Sequence, residues 1–567
     1  MMKKNYFNTA GLMLTAVTFL GLNSCRTNDT EQSLQTGGVA SVKINLTGTD
    51  YAGGSSSAQA SLKAEIATPE SQRNAALITP SMLIETELKP SSGTLATQAS
   101  TKLNTLAENG APIGAGMKFR VIAYRNSDGS YQDHKDYTVG QPGDGLILDQ
   151  GAQYNIVAYS YGTTSLPAIT SGETSNIYNA ELLYDNANPD FMFQKQLYTP
   201  NDATNTLGLT LRHKLAQITV TMNSYIGNIQ SVGDLIIAPH FTGGTFRVVD
   251  GVMNQRTGPT SLYLNRLTTL PAQSFTTEPI LLNAQTNGAV QQGGFQPVNL
   301  QIEGVIRSTP STVFPFNITP EYKSDLIINL RTCGAYLGPN QTKWTEFMCQ
   351  NLGATATAAN AFIPIAGNHG AKIQWGKNMS GTSGVNYVTE AMDQSTPGPL
   401  ANWSTISAPD KSWNSGTETN PVKNTANDPC PSGYRVPTRT EWQAVIANNN
   451  VERVGSWADD GNYTTALYFR NPQGIRTLML PAAGGRNYTD GSLLYRGSFG
   501  YYWSNTEFTS SLAYYLFFNG TDANIVSTAN RMDGGAIRCI KDNTSSTVNG
   551  GNTSWNSSGN ITITTTY

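Results

Sequence analysis

The chain is 567 residues long, too many for one hydrophobic core, because single cores stop growing near ~250–300 residues. Its formal net charge is −3, only 13% of residues are charged and no Lys/Arg block occurs, which argues against nucleic acid as a partner. Gly, Ser, Thr and Asn are abundant and helical periodicity is scarce, the profile of extracellular β-structure with many turns.

In chain order the first signal is for export. Lys3 and Lys4 precede an apolar stretch from Leu12 to Leu22. That is too short to cross a bilayer, which takes ~20 residues, and right for the core of a signal peptide. The stretch ends in Leu22-Asn23-Ser24-Cys25. A leucine three residues before a cysteine, with small residues between, resembles the lipobox of bacterial lipoproteins. The resemblance implies a signal peptide over 1–24, cleavage before Cys25, a lipid on the Cys25 thiol and delivery to the outer membrane. No second apolar run approaches the ~18 residues of a membrane span.

Strand signals follow. Val42, Ile44 and Leu46 alternate with polar residues, the period-2 pattern of a half-buried strand. Gly53-Gly54-Ser55-Ser56-Ser57 then opens a loose, Ala-rich stretch read as a flexible connection to about residue 75. Alternation resumes at Phe119, Val121 and Ala123, and less cleanly at Ile156, Val157 and Tyr159. Further strands are expected at Leu207–Leu211, Ile218–Met222, Leu235–Ile237 and Leu326–Leu330. Short strands between Gly, Asn and Asp turns suggest β-sandwiches. The four histidines, His134, His213, His240 and His369, form no metal pattern, and His213 reads as a packed strand residue.

Composition changes near residue 330. After Cys25 there is no cysteine until Cys333, Cys349, Cys430 and Cys539, and all eight tryptophans lie between Trp344 and Trp555. Four cysteines in an exported segment suggest two disulfides, with three pairings open. Thr438-Arg439-Thr440-Glu441 is a capping box that should start a helix over 439–448, with Trp442, Val445 and Ile446 on its apolar face. The last segment, 543–567, is Ser/Thr/Asn/Gly-rich and ends in a strand-like Ile561–Tyr567.

Two resemblances organise these elements. Gly116–Tyr124, Gly129–Tyr131, Tyr154–Ser160 and Leu209–Thr221 resemble the fimbrillin-like proteins of Bacteroidales, over roughly residues 38–330. This implies two transthyretin-like β-sandwich domains, at 76–205 (with strand 39–47) and 206–330, after a lipidated segment 25–75. It also implies assembly by strand exchange. An arginine- or lysine-specific protease, cutting at Arg73 or alternatively Lys63, removes strand 39–47, and another pilus subunit donates a strand to the vacated groove.

The second resemblance spans about 210 residues within 331–542: Cys333–Ala335, Trp344–Ala354, Gln374–Gly376, Asp428–Thr438, Glu441-Trp442, Tyr502–Asn505 and Gly535–Ile540. This ordered set resembles the major paralogous domain first named from Fibrobacter succinogenes, which implies an α+β C-type lectin-like domain. In the lectin-like pattern Cys430 pairs with Cys539, leaving Cys333 with Cys349. The implied class is mainly β, two sandwiches followed by this domain.

Aromatics in Gly/Ser/Asn-rich stretches offer faces for a glycan or protein ligand, and Trp403, Trp413, Tyr501, Tyr502 and Asn505 are the candidates. Trp457, Tyr488 and Tyr495 lie in similar stretches, whereas Trp344, Trp375, Trp442 and Trp503 are expected in the core. The Glu-Pro-Asn and Trp-Asn-Asp triplets of calcium-dependent lectins do not occur, so no cofactor is expected. Asp459–Asn462 and Asn487–Asp490 could offer oxygens to Ca²⁺ but read equally well as turns. No metal site or catalytic motif is recognised, and the expectation is a binding protein, not an enzyme. A large domain after the fimbrillin-like part suits a pilus tip adhesin. The alternative is a surface lipoprotein that binds glycan or protein without joining a pilus.

Overall fold

The computed structural model describes residues 38–53, 69–91, 113–187, 190–233, 235–284, 293–297, 300–302, 305–307, 314–472, 474–542, 552–555 and 561–564. Strand dominates them. In chain order the N-terminal part runs β1 (Val39–Asp50), β2 (Gln72–Thr79), β3 (Met82–Pro90), β4 (Lys118–Arg125), β5 (Tyr131–Thr138), β6 (Leu146–Asp149), β7 (Tyr154–Ser160), β8 (Glu181–Asp185), β9 (Met192–Tyr198), β10 (Thr204–His213) and β11 (Ala216–Ser224). It continues through β12 (Ile229–Ser231), β13 (Leu235–Arg247), β14 (Val252–Tyr263), β15 (Ser274–Thr276), β16 (Ile280–Leu282), β17 (Gly293–Pro297), β18 (Leu300–Ile302), β19 (Val305–Arg307), β20 (Phe314–Phe316) and β21 (Lys323–Thr332).

The first unit is one seven-stranded sheet in the order β5-β4-β7-β9-β10-β1-β6. Val42, Val121, Ala123, Leu146, Leu148, Ile156, Ala158, Leu207, Leu209 and Leu211, all from this sheet, enclose a single core. Because β9 meets β10 only at Arg212↔Phe193 and His213↔Met192, β5-β4-β7-β9 and β10-β1-β6 face each other across this core, a two-layer arrangement consistent with a β-sandwich. Register shifts in β1 (Leu46/Gly48) and in β4 (Ala123/Tyr124) supply the bends, since a bulge increases local twist. The edges meet where the Ile147 N–H of β6 donates to Asp133 of β5 (2.9 Å). β4 is buried along Phe119–Tyr124, on both faces, which is why its apolar run is nearly continuous. Its outer-face residues Ile122 and Tyr124 join Phe193, Leu182 and Phe246 in a second core shared with β8, β9 and β13.

The second unit is a sandwich. One layer is β15-β11-β21-β3-β2, and the facing layer is built on β14-β13-β17-β20, with β8 also paired to β13. Ile84, Ile218, Val220, Leu326 and Ile328 from the first layer meet Leu235, Ile237, Phe314 and Phe316 from the second. Two expected boundaries are thereby corrected. The hairpin β2–β3 belongs to the second unit, because β3 pairs along its length with β21 (Ser324↔Pro90 through Thr332↔Met82), a partner some 240 residues away in the chain. And β10 runs to His213 within the first sheet, so that unit extends past residue 205. The loose connection expected to residue 75 gives way to strand at Gln72: the Gln72 amide bonds both the N–H and the C=O of Asn317, and Asn74 donates to Pro315 O (2.7 Å).

Beyond Cys333 the elements are β22 (Gly334–Gly338), β23 (Thr342–Glu346), β24 (Lys372–Gln374), β25 (Tyr387–Val388), α1 (Glu390–Ser395), β26 (Tyr434–Arg435), α2 (Arg439–Asn448), β27 (Asn450–Val454), β28 (Ala466–Arg470), β29 (Arg476–Pro481), β30 (Gly485–Arg486), β31 (Leu493–Leu494), β32 (Gly500–Glu507), β33 (Leu512–Phe518), β34 (Ala523–Asn530), β35 (Gly534–Gly535) and β36 (Ile540–Lys541). The disulfides join Cys333 to Cys349 and Cys430 to Cys539. α2 begins with the expected reciprocal cap: the Glu441 N–H donates to the Thr438 hydroxyl (3.1 Å) and the Thr438 N–H to the Glu441 carboxylate (2.8 Å). Trp442 and Val445 enter a core with Leu467, Leu480, Tyr502, Leu516 and Phe518. In the terminal segment, Asn552–Trp555 pairs antiparallel with Ile561–Thr564.

The sandwich grips this last unit through the tip of the β2–β3 hairpin. The Cys333 and Cys349 N–H groups donate to Ser81 O and Pro80 O (both 2.8 Å). The Ser81 hydroxyl bonds Glu346 (2.5 Å) and Tyr434 (2.7 Å), and Leu83 packs against the Cys333–Cys349 disulfide.

Candidate functional site

Two places are candidates for a functional site. The first is β1. It lies inside the sheet, parallel to β10 from Ser41↔Thr204 to Asp50↔Arg212 and antiparallel to β6 from Val39↔Asp149 to Val42↔Leu146. Val42 is fully buried, and Ile44 and Leu46 pack against the same core. Gly145 permits the close approach of β6, since a Cβ there would lie 2.5 Å from the Ser41 hydroxyl and 3.0 Å from Val42 O. Asp50 accepts two hydrogen bonds from Arg212 (3.0 and 2.7 Å). Tyr51 stacks on His213 (centroids 4.2 Å), whose Nδ1 lies 2.6 Å from Asp190. His213 is thus a packed strand residue.

Residues 1–37 and 54–68, and with them Cys25 and Lys63, lie outside the described residues. Arg73 sits in β2 opposite Glu87, to which it is paired at 3.1 Å with its side chain 77% exposed.

The second place is a cleft of about 170 Å³ in the C-terminal unit. β32, β33 and β34 form a three-stranded meander, and alternation divides its residues. Tyr502, Leu516 and Phe518 face α2, whereas Tyr501, Trp503 and Tyr515 point the other way and line the cleft with Arg486, Thr528 and Asp533. Gly534 and Gly535 close one wall. A Cβ at Gly535 would meet the Trp503 indole at 2.8 Å, so only glycine allows the ring to lie there. Asp533 accepts from the Asn530 N–H (2.8 Å) and the Tyr488 N–H (2.9 Å), and burial pushes its carboxyl up to about 6. Arg486 turns its guanidinium away, onto Asp393 (2.8 Å), Thr396 O (2.7 Å) and Gly491 O (3.1 Å). Tyr501 and Tyr515 lie 5.4 Å apart, and the exposed Tyr495 packs against Phe499 (4.9 Å) and lies 6.5 Å from Tyr501.

Of the five ligand candidates read from sequence, Tyr501 alone lines this cleft. The other four are corrected to interior positions. Trp403 and Trp413 are buried, their indole N–H groups donating to Met532 O (3.1 Å) and Lys377 O (2.9 Å). Tyr502 is buried between Asn351 and Pro481 O (both 2.9 Å), and Asn505 donates to Val436 O (2.8 Å). Loops rich in Gly, Ser and Asn fold back over the sheets here, and each large ring finds an apolar bed and a carbonyl for its polar end. Trp375, Trp442 and Trp503 are in the core, and Trp344 is half-buried against Tyr336 (5.1 Å). Asp460, Asn487 and Asp490 each accept the backbone N–H two residues on, as turn residues do. Sequence reasoning missed Tyr515, Thr528 and Asp533. Tyr515 lies across the sheet from Trp503, and the wholly apolar run Leu512–Phe518 carries no alternation that would have singled it out.

No family model and no curated protein matches the sequence. Among solved structures, a fimbrial assembly protein from Parabacteroides distasonis is 11% identical over 46% of this chain and 92% of its own, with a TM-score of 0.25. The fimbrial anchor protein Mfa2 from Porphyromonas gingivalis is 10% identical over 35% and 93%, with a TM-score of 0.23. A candidate cell adhesion protein from Bacteroides fragilis is 11% identical over 52% and 97%, with a TM-score of 0.27. Scores of that size carry no argument about what this chain does.

Proposed function

We propose that the chain is an exported surface adhesin built as a fimbrial tip subunit, which accepts a strand from another subunit and presents its C-terminal, lectin-like unit to a glycan or protein ligand on a host or bacterial surface. The observation that carries this reading is the placement of β1. It is paired on both sides, it fills the first core with Val42, Ile44 and Leu46, and segment 54–68 separates it from β2. Its removal would uncover a row of backbone donors and acceptors along β10 and an apolar trough, the surface a donated strand satisfies. Each large apolar side chain returned to the trough contributes roughly 1.5–3 kcal/mol. Cys25 supplies the lipid tether during export, and cleavage at Lys63 or Arg73 would release it with β1. The C-terminal unit has no part in the exchange and stays free to bind.

One observation favours the second reading, a surface lipoprotein outside any pilus. Arg73 is in register with Glu87 in a paired strand. If neither Arg73 nor Lys63 is cut, β1 stays in place and the lipid on Cys25 is the permanent anchor. Immuno-electron microscopy with antibody to residues 333–541 tests the proposal. Label confined to pilus ends is expected. Label along the shaft refutes the tip position, and label over a surface without fimbriae selects the lipoprotein. Mass spectrometry of the mature N-terminus decides cleavage, and a protein still beginning at Cys25 refutes it.

A further inference from the structure

We propose that the cleft between β30, β32, β33 and β35 binds an alkylammonium group, seated against the rings of Tyr501, Trp503 and Tyr515 with Asp533 as its counter-ion. The proposal rests on the geometry of the C-terminal unit alone and stands whether or not the chain enters a pilus.

The lining has one charge to offer. Arg486 presents its stem, since a Cβ on Gly534 would meet Arg486 Cβ at 2.7 Å and Cγ at 3.1 Å, while its guanidinium is held by Asp393 and two carbonyls on the far side. Asp533 makes no ion pair among the described residues. Its oxygens accept only the backbone N–H groups of Asn530 and Tyr488. A largely buried carboxylate without a cation is costly, and a ligand that brings one recovers that cost.

The remaining walls are aromatic. Tyr501 and Tyr515 are tilted by 33° at 5.4 Å, and Trp503 stands at 75° to Tyr515. Three electron-rich rings lining one cleft are a setting that attracts organic cations. An anion would meet Asp533. A neutral sugar would need several polar groups in its plane, whereas the Thr528 hydroxyl already bonds Tyr515.

The test titrates the purified full chain with tetramethylammonium, choline and Nα-acetyl-lysine amide, with galactose and N-acetylglucosamine as neutral probes. Calorimetry and aromatic fluorescence follow binding. Saturable binding of ammonium probes with quenching is expected. A preference for choline identifies a quaternary headgroup as the natural source, and one for the lysine amide a protein side chain. Asp533→Asn is expected to weaken binding about tenfold, the loss of one partly buried charge pair. Tyr501→Leu should weaken it severalfold, through the loss of one ring from the lining. Should Asp533→Asn misfold, the wild-type pH profile serves. Binding must weaken as pH falls through about 6, where Asp533 takes up a proton while Tyr501 and Tyr515, both pushed up by burial, stay neutral throughout. Failure of every ammonium probe to saturate, equal binding of the neutral sugars, or undiminished binding by Asp533→Asn would each overturn the proposal.

Discussion

In and around the seven-stranded sheet the core is made of side chains that alternate along strands, and the ion pairs run from the surface, as with Arg125–Asp149, to the interior, where Arg120 faces Glu173 (3.9 Å). The C-terminal unit is built differently. Two disulfides tie it, and a cluster of charges lies inside it: Asp393 faces Lys372 (3.4 Å), Arg486 (2.8 Å) and Arg496 (2.9 Å), all buried. The first design suits the proposed exchange of one strand for another, because pairing and apolar contact are remade by any strand of matching pattern. The second suits a fixed surface. Disulfides and a buried network of charges joined by hydrogen bonds hold it to one arrangement.

The contrast is broken most severely by opening the longer disulfide. Cys430→Ser with Cys539→Ser frees a loop of 109 residues and should cost about 4–5 kcal/mol. Chemical denaturation should show the C-terminal transition shift while that of the first sheet stays. A joint shift would mean that the two regions are not independently held.

Asp393→Asn comes next. It strands three buried cations and should cost about 3–5 kcal/mol. Burial alone would raise the Asp393 carboxyl, but Lys372, Arg486 and Arg496 together hold it below its usual range. Its contribution is therefore full above the unfolded carboxyl value near ~3.9 and is lost as pH falls through the lower folded value. Acid unfolding of the wild type should start later than that of the variant.

Asp533 has the opposite sign. Its raised folded value gives stability that is full below ~3.9 and lost as pH rises through about 6, so Asp533→Asn should flatten the pH profile between these limits by about 1–2 kcal/mol, as differential scanning calorimetry would show. The smallest effect is Thr438→Ala, which removes one side of the cap on α2 for about 1 kcal/mol, read as a melting shift of a few degrees.

What was legible in the sequence was local. Thr438 and Glu441 are three residues apart, so the cap and helix 439–448 followed from spacing. The strands at Val42–Leu46, Phe119–Ala123 and Leu326–Leu330 followed from alternation. Non-local facts were lost. The β2–β3 hairpin was assigned to the wrong unit because its partner, β21, is distant in the chain. Trp403 and Trp413 looked exposed because their neighbours are turn residues, and only the folded loops bring Met532 and Lys377 to their indoles. The cleft joins Arg486, Tyr501, Thr528 and Asp533 from separate elements, so no single window contained it.

The most direct test of strand exchange uses a chain that begins after segment 54–68 and a labelled peptide with the sequence of Val39–Asp50. The account predicts saturable one-to-one binding, renewed hydrogen-exchange protection in β10 and β6, and at least tenfold weaker binding by the peptide carrying Val42→Asp, which would bury an unpaired charge. A shortened chain that keeps full protection in β10 and β6 without the peptide, and does not bind it, would contradict the account.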